Sequence, residues 1–309
     1  MKSVSSFSIR PFSQVDFPSY VSVVAAAEAV DGIGRPISES RLAEELNRPN
    51  YHPEENCFVA RFDSTVVGYV RVMPELEIER VILEAVVHPE YRRRGIGKRL
   101  LEEGVSRGRG LGAKLAHVGI PQNSSALCHL VEKRGFSLVK RQHQLLLPNS
   151  IDVGEVQLGP PYRIRYFAPG DEETLTYIQN LCFSGSWGFN PNTVDEVRYN
   201  VAASYCQGEG VFFAEKDSEA VGYCWTQIEE MGSAGDRKGV VWMIGVSPEY
   251  RGKGIARALM VYSIDYLRSQ GVKAVGLTVY SDNIGALKLY YSLGFTVKRD
   301  TLWYEKKLL

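Results

Sequence analysis

Arg251-Gly252-Lys253-Gly254-Ile255-Ala256 sets two cations and two glycines directly ahead of a helical run, Arg257-Ala258-Leu259-Met260. A glycine-rich turn that feeds a helix start is an anion site. The first N–H groups of the helix lack intrahelical partners, and the helix dipole favours negative charge there. Glycine lets a phosphate approach where a Cβ would block it, and Arg251 and Lys253 add positive charge. The spacing Arg-x-x-Gly-x-Ala is neither the dinucleotide pattern Gly-x-Gly-x-x-Gly nor a P-loop with its Lys-Ser/Thr ending. The plainer reading is a basic surface turn before a helix. Just upstream, Val240 to Val246 is an apolar run fit for a buried strand. Ser247-Pro248-Glu249 then turns the chain, because Pro extends no strand and donates no N–H.

The pattern occurs twice. Val87-His88-Pro89-Glu90-Tyr91-Arg92-Arg93-Arg94-Gly95-Ile96-Gly97-Lys98 repeats it 159 positions earlier, counting from Arg92 to Arg251. Gly135-Phe136 and Gly294-Phe295 share that offset of 159. Ile9-Arg10-Pro11-Phe12 and Ile164-Arg165-Tyr166-Phe167 are 155 apart, and Val67-Gly68-Tyr69 and Val221-Gly222-Tyr223 are 154 apart. A period near half the chain, longer than that of solenoid repeats, means two whole domains of one fold. The second copy carries a few extra residues between Tyr223 and Val240. An N-terminal domain over 1–147, a Pro- and Gly-bearing linker over 148–161 and a C-terminal domain over 162–309 are expected.

Length and charge bound the partners. The 309 residues suit about two ordinary domains, each able to bury a core. Lys+Arg and Asp+Glu both total 36, which argues against a broad nucleic-acid surface. Cys57, Cys128, Cys182, Cys206 and Cys224 form no close pairs and are odd in number, so reduced thiols in a cytoplasmic protein are expected. The five histidines show no metal-ligand spacing. No apolar run is long enough to span a bilayer, so no membrane partner is expected.

The elements that must hold the two loops read similarly in both copies. In the first they are a strand at Phe7–Phe12, helices at Asp16–Ala29 and Glu39–Asn47 with Ser38 as cap, and a hairpin of Cys57–Phe62 with Val66–Met73. A strand at Arg80–Val87, a helix at Gly95–Ser106, a strand at Lys114–Ile120, a helix at Ser124–Lys133 and a strand at Phe136–Leu147 follow. In the second, Tyr162–Phe167, helix Asp171–Cys182, an aromatic loop with Trp187 and Phe189, and helix Val194–Ala203 lead to the hairpin Val211–Lys216 with Ala220–Ile228. Glu229 to Gly239 reads as a polar connection. Strand Val240–Val246, helix Ile255–Gln270, strand Ala274–Tyr280, helix Ile284–Ser292 and strand Phe295–Leu308 complete it.

The two loops resemble the pyrophosphate loop of the GNAT superfamily of acyl-CoA N-acyltransferases, written Gln/Arg-x-x-Gly-x-Gly/Ala. The element order is similar to that of the family, which implies an α/β fold: two tandem GNAT folds, each a mixed sheet splayed at its centre and flanked by helices. The resemblance implies acetyl-CoA as co-substrate, with no metal. Its contacts would be Ile244, Val246, Arg251, Gly252, Lys253, Gly254, Ile255, Ala256 and Asn283 in the second copy, and Val87, Arg92, Arg93, Arg94, Gly95, Ile96 and Gly97 in the first. The pantetheine arm would pair with a strand at the splay.

The family reaction is direct attack of a neutral amine on the thioester. The enzyme aligns the two reactants, polarises the carbonyl with a backbone N–H and moves protons. Asn283-x-x-Ala286-x-x-Leu289-Tyr290-x-x-x-Gly294-Phe295 matches the family segment holding the proton donor, so the resemblance makes Tyr290 the general acid. Its plain alternative is a packed aromatic, and that of Asn283 is a helix N-cap. Val131 stands 159 before Tyr290, and Gly32 stands where the second copy has Trp187, so the first copy is expected to be catalytically degenerate. Glu84 keeps a weak catalytic option there, and His129 is read as an exposed histidine.

The second copy is also similar to the C-terminal domain of the mycothiol synthase family, which acetylates the cysteinyl amine of a sugar conjugate. The matching stretches are Gly222-Tyr223-Cys224-Trp225-Thr226, Ile244-Gly245-Val246-Ser247-Pro248, Tyr280-Ser281-Asp282-Asn283 and Ser292-Leu293-Gly294-Phe295, with Asp300-Thr301 after them. The resemblance puts the acceptor against Trp187, Phe189 and Trp225. One departure is plain: the base carboxylate of that family falls on Val240, which leaves Glu229 and Glu230, in the preceding connection, either to serve directly or through water or to be solvated loop charges. The expected function is an N-acetyltransferase for a small-molecule amine, in a monomer whose two domains form a pseudo-dimer. The alternatives are a peptide or protein N-acetyltransferase, or a non-catalytic acyl-CoA-binding sensor.

Overall fold

The computed structural model describes residues 7–35, 37–206, 208–231 and 236–308. The chain divides into two compact units, Met1–Arg141 with Thr301–Leu309, and Gln142–Asp300. The described residues begin with β1 (Phe7–Pro11), α1 (Phe17–Asp31), α2 (Glu39–Leu46), α3 (Pro53–Asn56), β2 (Cys57–Phe62), β3 (Thr65–Glu75) and β4 (Arg80–Val87). Next come α4 (Ile96–Gly110), β5 (Leu115–Pro121), α5 (Ser125–Glu132) and β6 (Ser137–Pro148). The later half contributes β7 (Tyr162–Tyr166), α6 (Glu172–Phe183), α7 (Val194–Ala202), β8 (Val211–Lys216), β9 (Glu219–Met231) and β10 (Asp236–Val246). It ends with α8 (Ile255–Ser269), β11 (Ala274–Tyr280), α9 (Ile284–Ser292) and β12 (Thr296–Lys307).

The first unit holds its strands in the order β1-β2-β3-β4-β5-β12, and the second in the order β7-β8-β9-β10-β11-β6. In each, one central pair is parallel, β4 with β5 and β10 with β11, and the other pairs are antiparallel. The last strand of each sequence copy completes the sheet of the other unit. Thr301↔Pro121 through Lys307↔Leu115 join β12 to β5, and Ala274↔Pro148 through Tyr280↔Gln142 join β11 to β6. Division by sequence copy (1–147, 148–161, 162–309) and division by compactness therefore differ at these two strands.

Hydrophobic alternation fixes the two faces of the second unit. Val241, Val275, Leu277, Val279, Leu145 and Leu147 pack under α8 and α9 with Leu259, Met260, Ile264, Leu287 and Tyr290. Val211, Phe213, Tyr223 and Trp225 pack on the other face under α6 and α7 with Leu175, Ile178 and Val197. Gly239 lies under α8, where an added Cβ would come within 2.9 Å of Leu267.

One sequence expectation is corrected here. Glu229 to Gly239 is not simply a connection: β9 runs on to Met231 and β10 starts at Asp236. Arg237↔Glu230, Lys238↔Glu229 and Gly239↔Ile228 are ladder partners. Opposite charges facing one another across a ladder stabilise a polar hairpin end, so polarity alone does not mark a loop.

Candidate active site

The parallel pair β10–β11 is joined only at Gly239↔Val275, Val240↔Gly276 and Val241↔Leu277. Both strands continue, to Val246 and Tyr280, without pairing to each other. The backbone of β10 beyond Val241 is thus free on that side to pair with an extended ligand. At this vertex β10 is also bulged. Val241 faces Thr226 and Met243 faces Trp225, which leaves Trp242 as the extra residue. A bulge leaves that residue out of the ladder and re-aims its side chain.

Beyond the splay, β10 ends at Val246, and a 3-10 turn (Pro248–Tyr250) leads to α8. Gly252 and Gly254 take φ of +78° and +79°, the left-handed region that suits glycine. An added Cβ at either would meet nothing within 4 Å, so both face open space. Gly254 is the N-cap of α8 and no side chain caps it. Ala258 N–H donates to the Gly254 carbonyl as the first helical bond, at 3.1 Å. Among the described residues no acceptor serves the N–H groups from Gly252 to Arg257. This row of free donors at a helix start fits a pyrophosphate.

The cations of the loop behave differently from expectation. Arg251 does not point its charge at that cradle. Its Nε donates to the Val246 carbonyl at 3.1 Å and its Nη2 to the Cys182 carbonyl at 3.1 Å, which ties the loop to β10 and to the end of α6. Lys253 lies over the Tyr250 ring, with Nζ 4.8 Å from the centroid. Backbone N–H groups are therefore what the loop offers an anion, and Arg251 holds the loop in shape.

Tyr290 sits on the inner side of α9, 6% exposed, in one core with Ile244 and Cys224, which face each other across β10 and β9. Its ring tilts against Phe295 at 6.0 Å. Among the described residues its hydroxyl makes no side-chain hydrogen bond. Burial pushes the phenol well above its ordinary range, with Cys224 adding to the shift, so it stays protonated at neutral pH. Asn283 Oδ1 accepts from the Ala286 N–H at 3.2 Å and caps α9. Burial also pushes the thiols of Cys182 and Cys224 up to about 12, which leaves them protonated and poor nucleophiles.

The face opposite Tyr290 carries a different set. Phe189 stacks on Phe183 at 5.4 Å, and Trp187 meets Tyr280, the last residue of β11, edge-on at 5.2 Å. Trp225 does not join this wall. It is wholly buried, its Nε1 donates to Cys206 Sγ at 2.7 Å, and it packs edge-on against Trp242 at 4.8 Å. Alternation from Trp225 through Gln227 puts Glu229 on this same face, whereas Glu230 shares the opposite face with Ile228. Glu229 accepts from Lys238 Nζ at 3.3 Å, and an added Cβ at Gly276 would come within 2.6 Å of Lys238 Cε. Sequence reasoning missed Lys238 and Trp242. The run Val240 to Val246 shows no alternation, so nothing in it announces a bulge.

The first unit keeps the loop but has Val131 where the second has Tyr290. Its parallel pair β4–β5 also parts early, after Ile82↔His117. Gly95 caps α4 at φ +84°, facing open space, and Arg93 takes φ +63° where the other copy has glycine. Arg92 donates to the Val87 carbonyl and pairs through both Nη atoms with Asp31, at 2.8 and 3.0 Å. Arg94 lies over the Phe62 and Tyr91 rings. Val131 is buried in the core and Glu84 is bound by Arg71, which also holds Glu45 at 2.8 Å. The β3–β4 ladder runs from Gly68↔Val87 to Glu75↔Arg80 without a bulge.

A splayed mixed sheet with an open helix start beside the splay is the setting, and the chain belongs to the acetyltransferase (GNAT) family, whose model matches residues 27–136 and 173–295, one stretch in each copy. It is therefore an acyltransferase, of a family that uses acetyl-CoA. Its sequence is similar to "Mycothiol acetyltransferase" of Thermobispora bispora, 31% identical over 290 residues, covering 91% of this chain and 92% of that protein. In fold it is similar to a GCN5-related N-acetyltransferase from Sphaerobacter thermophilus, with a TM-score of 0.75 and 23% identity over 98% of this chain and 96% of that one. A tandem GNAT protein from the clavulanic acid biosynthesis pathway gives a TM-score of 0.74 at 18% identity, over 98% of this chain and 99% of that one.

Proposed function

We propose that the chain moves the acetyl group of acetyl-CoA to the primary amine of a small molecule, and that this happens in the second unit. The observation that carries the reading is the conjunction in that unit of the open start of α8, the splay at Val241↔Leu277 and the buried phenol of Tyr290. The relatives named "Mycothiol acetyltransferase", together with the resemblance carried by the second copy's motifs, direct the choice of acceptor toward the cysteinyl amine of a sugar conjugate. The first unit, with Val131 at the acid position and Glu84 held by Arg71, is read as a non-catalytic copy.

In this reading the pyrophosphate lies on the N–H groups of Gly252 to Ala256, and the pantetheine arm pairs with β10 along Ile244 and Val246. The thioester then reaches the bulge at Trp242, where a backbone N–H polarises its carbonyl. The amine attacks from the side of Trp187 and Phe189. Glu229, which shares that face, takes the ammonium proton through water. Tyr290, on the opposite face, returns a proton to the departing thiolate, whose basicity is close to that of a phenol.

The test follows free-thiol release from acetyl-CoA with a panel of amines that includes cysteinyl-sugar conjugates. Amine-dependent release that falls in both Tyr290→Phe and Gly254→Trp supports the reading. Release that survives both changes would remove the second unit from catalysis. Glu229→Gln is expected to lower kcat far more than Glu230→Gln, and equal effects would remove Glu229 as the proton acceptor.

A further inference from the structure

We propose that the indole of Trp242 is the platform on which the non-reacting body of the acceptor lies while its amine faces the thioester, so that Trp242 decides which amines are acetylated. This rests on the reading of the second unit as the transferase.

Four observations converge on this one side chain. Trp242 is the extra residue of the β10 bulge and the first residue beyond Val241↔Leu277, the last pair before the strands part. It therefore stands at the vertex, where an acyl group carried along β10 would end. It is 38% exposed, yet its ring is held at 89° to that of Trp225, which is itself locked by the bond to Cys206. A large aromatic ring that is open to ligand and already oriented loses little entropy on binding. The bulge sets Trp242 and Met243 together opposite Trp225, on the face packed by α6. Tyr290 lies on the other face, so attack and leaving-group protonation come from opposite sides of the sheet. Besides Trp225, the same face carries the indole of Trp187, braced edge-on by Tyr280 at the end of β11.

Rings set at a vertex in this way suit a compact ring-bearing amine whose C–H face can lie on an indole, as a pyranoside does. The proposal separates Trp242 from the groups that move protons. Its loss removes binding of the acceptor body and leaves the reacting atoms unaltered.

The test compares two acceptors in each variant: a cysteinyl-sugar conjugate, and the same cysteinyl group as its methyl amide, which has no ring. The readout is the ratio of their kcat/KM values. Because both are measured on one preparation, a smaller folded fraction cancels. Trp242→Ala is expected to lower the ratio about 5- to 100-fold, in line with loss of one stacked ring, through KM of the conjugate, and Trp242→Phe to restore most of it. An unchanged ratio in Trp242→Ala overturns the proposal. So does a change confined to the preference between acetyl-CoA and butyryl-CoA, which would make Trp242 a gate for the acyl chain instead. A native enzyme that releases no thiol with either amine fails at the transferase reading, and the proposal falls with it.

Discussion

A phenol at Tyr290 and an isopropyl group at Val131 occupy matching positions 159 residues apart, and the proposed function places proton donation in one copy because of that difference. Tyr290→Phe keeps the ring in its core and removes only the hydroxyl. It is expected to lower kcat by about 10²–10⁴-fold, the usual contribution of a positioned acid, with thermal stability little changed. The pH profile follows from the sign of the shift. Burial raises the folded pKa above that of a free phenol, so the acid is loaded at every pH below 10. A basic limb of kcat that begins below pH 10 would therefore not be that of Tyr290, and its persistence in Tyr290→Phe would confirm this. Arg251 offers a second check. Arg251→Gln loses the two carbonyl contacts that shape the loop, so KM for acetyl-CoA should rise several-fold with kcat nearly constant. The sequence made the glycine turn before α8 and the cap at Asn283 legible, because each is a local pattern. It did not show that Arg251 turns inward or that Trp225 is core, because both depend on which residues a side chain meets across the sheet.

At the scale of elements, the site depends on how closely α6 approaches β10. An added Cβ at Gly245 would come within 2.6 Å of Cys182 Cβ and 2.9 Å of the Tyr223 ring. Gly245→Ala must push α6 away, at a cost of about 1–3 kcal/mol for overpacking. Because Cys182 also supplies the carbonyl that holds Arg251, the same variant should raise KM for acetyl-CoA. Calorimetry and acetyl-CoA kinetics on one preparation check both effects. The corner before α6 carries a pH signature. The Arg165 hydrogen bonds hold the Asp171 carboxyl below its usual range. A depressed carboxylate stabilises the fold above its unfolded pKa, near 3.9, and that stabilisation is lost as pH falls through its folded pKa. Asp171→Asn should flatten the fall of stability below pH 4, read from urea unfolding at several pH values. Arg10 and Asp16 repeat this corner in the first unit, with bonds of 2.7 Å, at the offset of 155 visible in the sequence. Most strands and helices fall within a few residues of where apolar period and turn residues placed them. The hairpin end of β9 and β10 was hidden because its stabilising pairs are charged.

At the scale of the whole molecule, the exchange of β6 and β12 sets what can be cut. Local pattern cannot reveal it: each final strand presents alternate apolar residues, Leu145 with Leu147 and Leu302 with Tyr304, that suit either sheet. Residues 162–309 made alone would lack β6 from the second unit, and residues 1–147 would lack β12 from the first. Each half is expected to be poorly folded and without transferase activity, while the two produced together should recover thiol release. Full activity in residues 162–309 alone would show that β6 is dispensable. Deletion of residues 301–309 should strike the first unit, where Leu302, Tyr304 and Leu308 enter the core. Proteolysis is then expected to begin in that unit.

The exchange also bears on the order in which a ribosome delivers the parts. The first unit receives β5 by Pro121 but must wait for Thr301 to begin its next strand, 180 residues later. At about 5–20 residues per second this leaves the edge of β5 open for roughly 10–40 s on each nascent chain. The second unit, although encoded later, already has β6 in hand when β11 emerges. The half made second can therefore finish first, and the N-terminal half closes only after Thr301 to Lys307 have emerged.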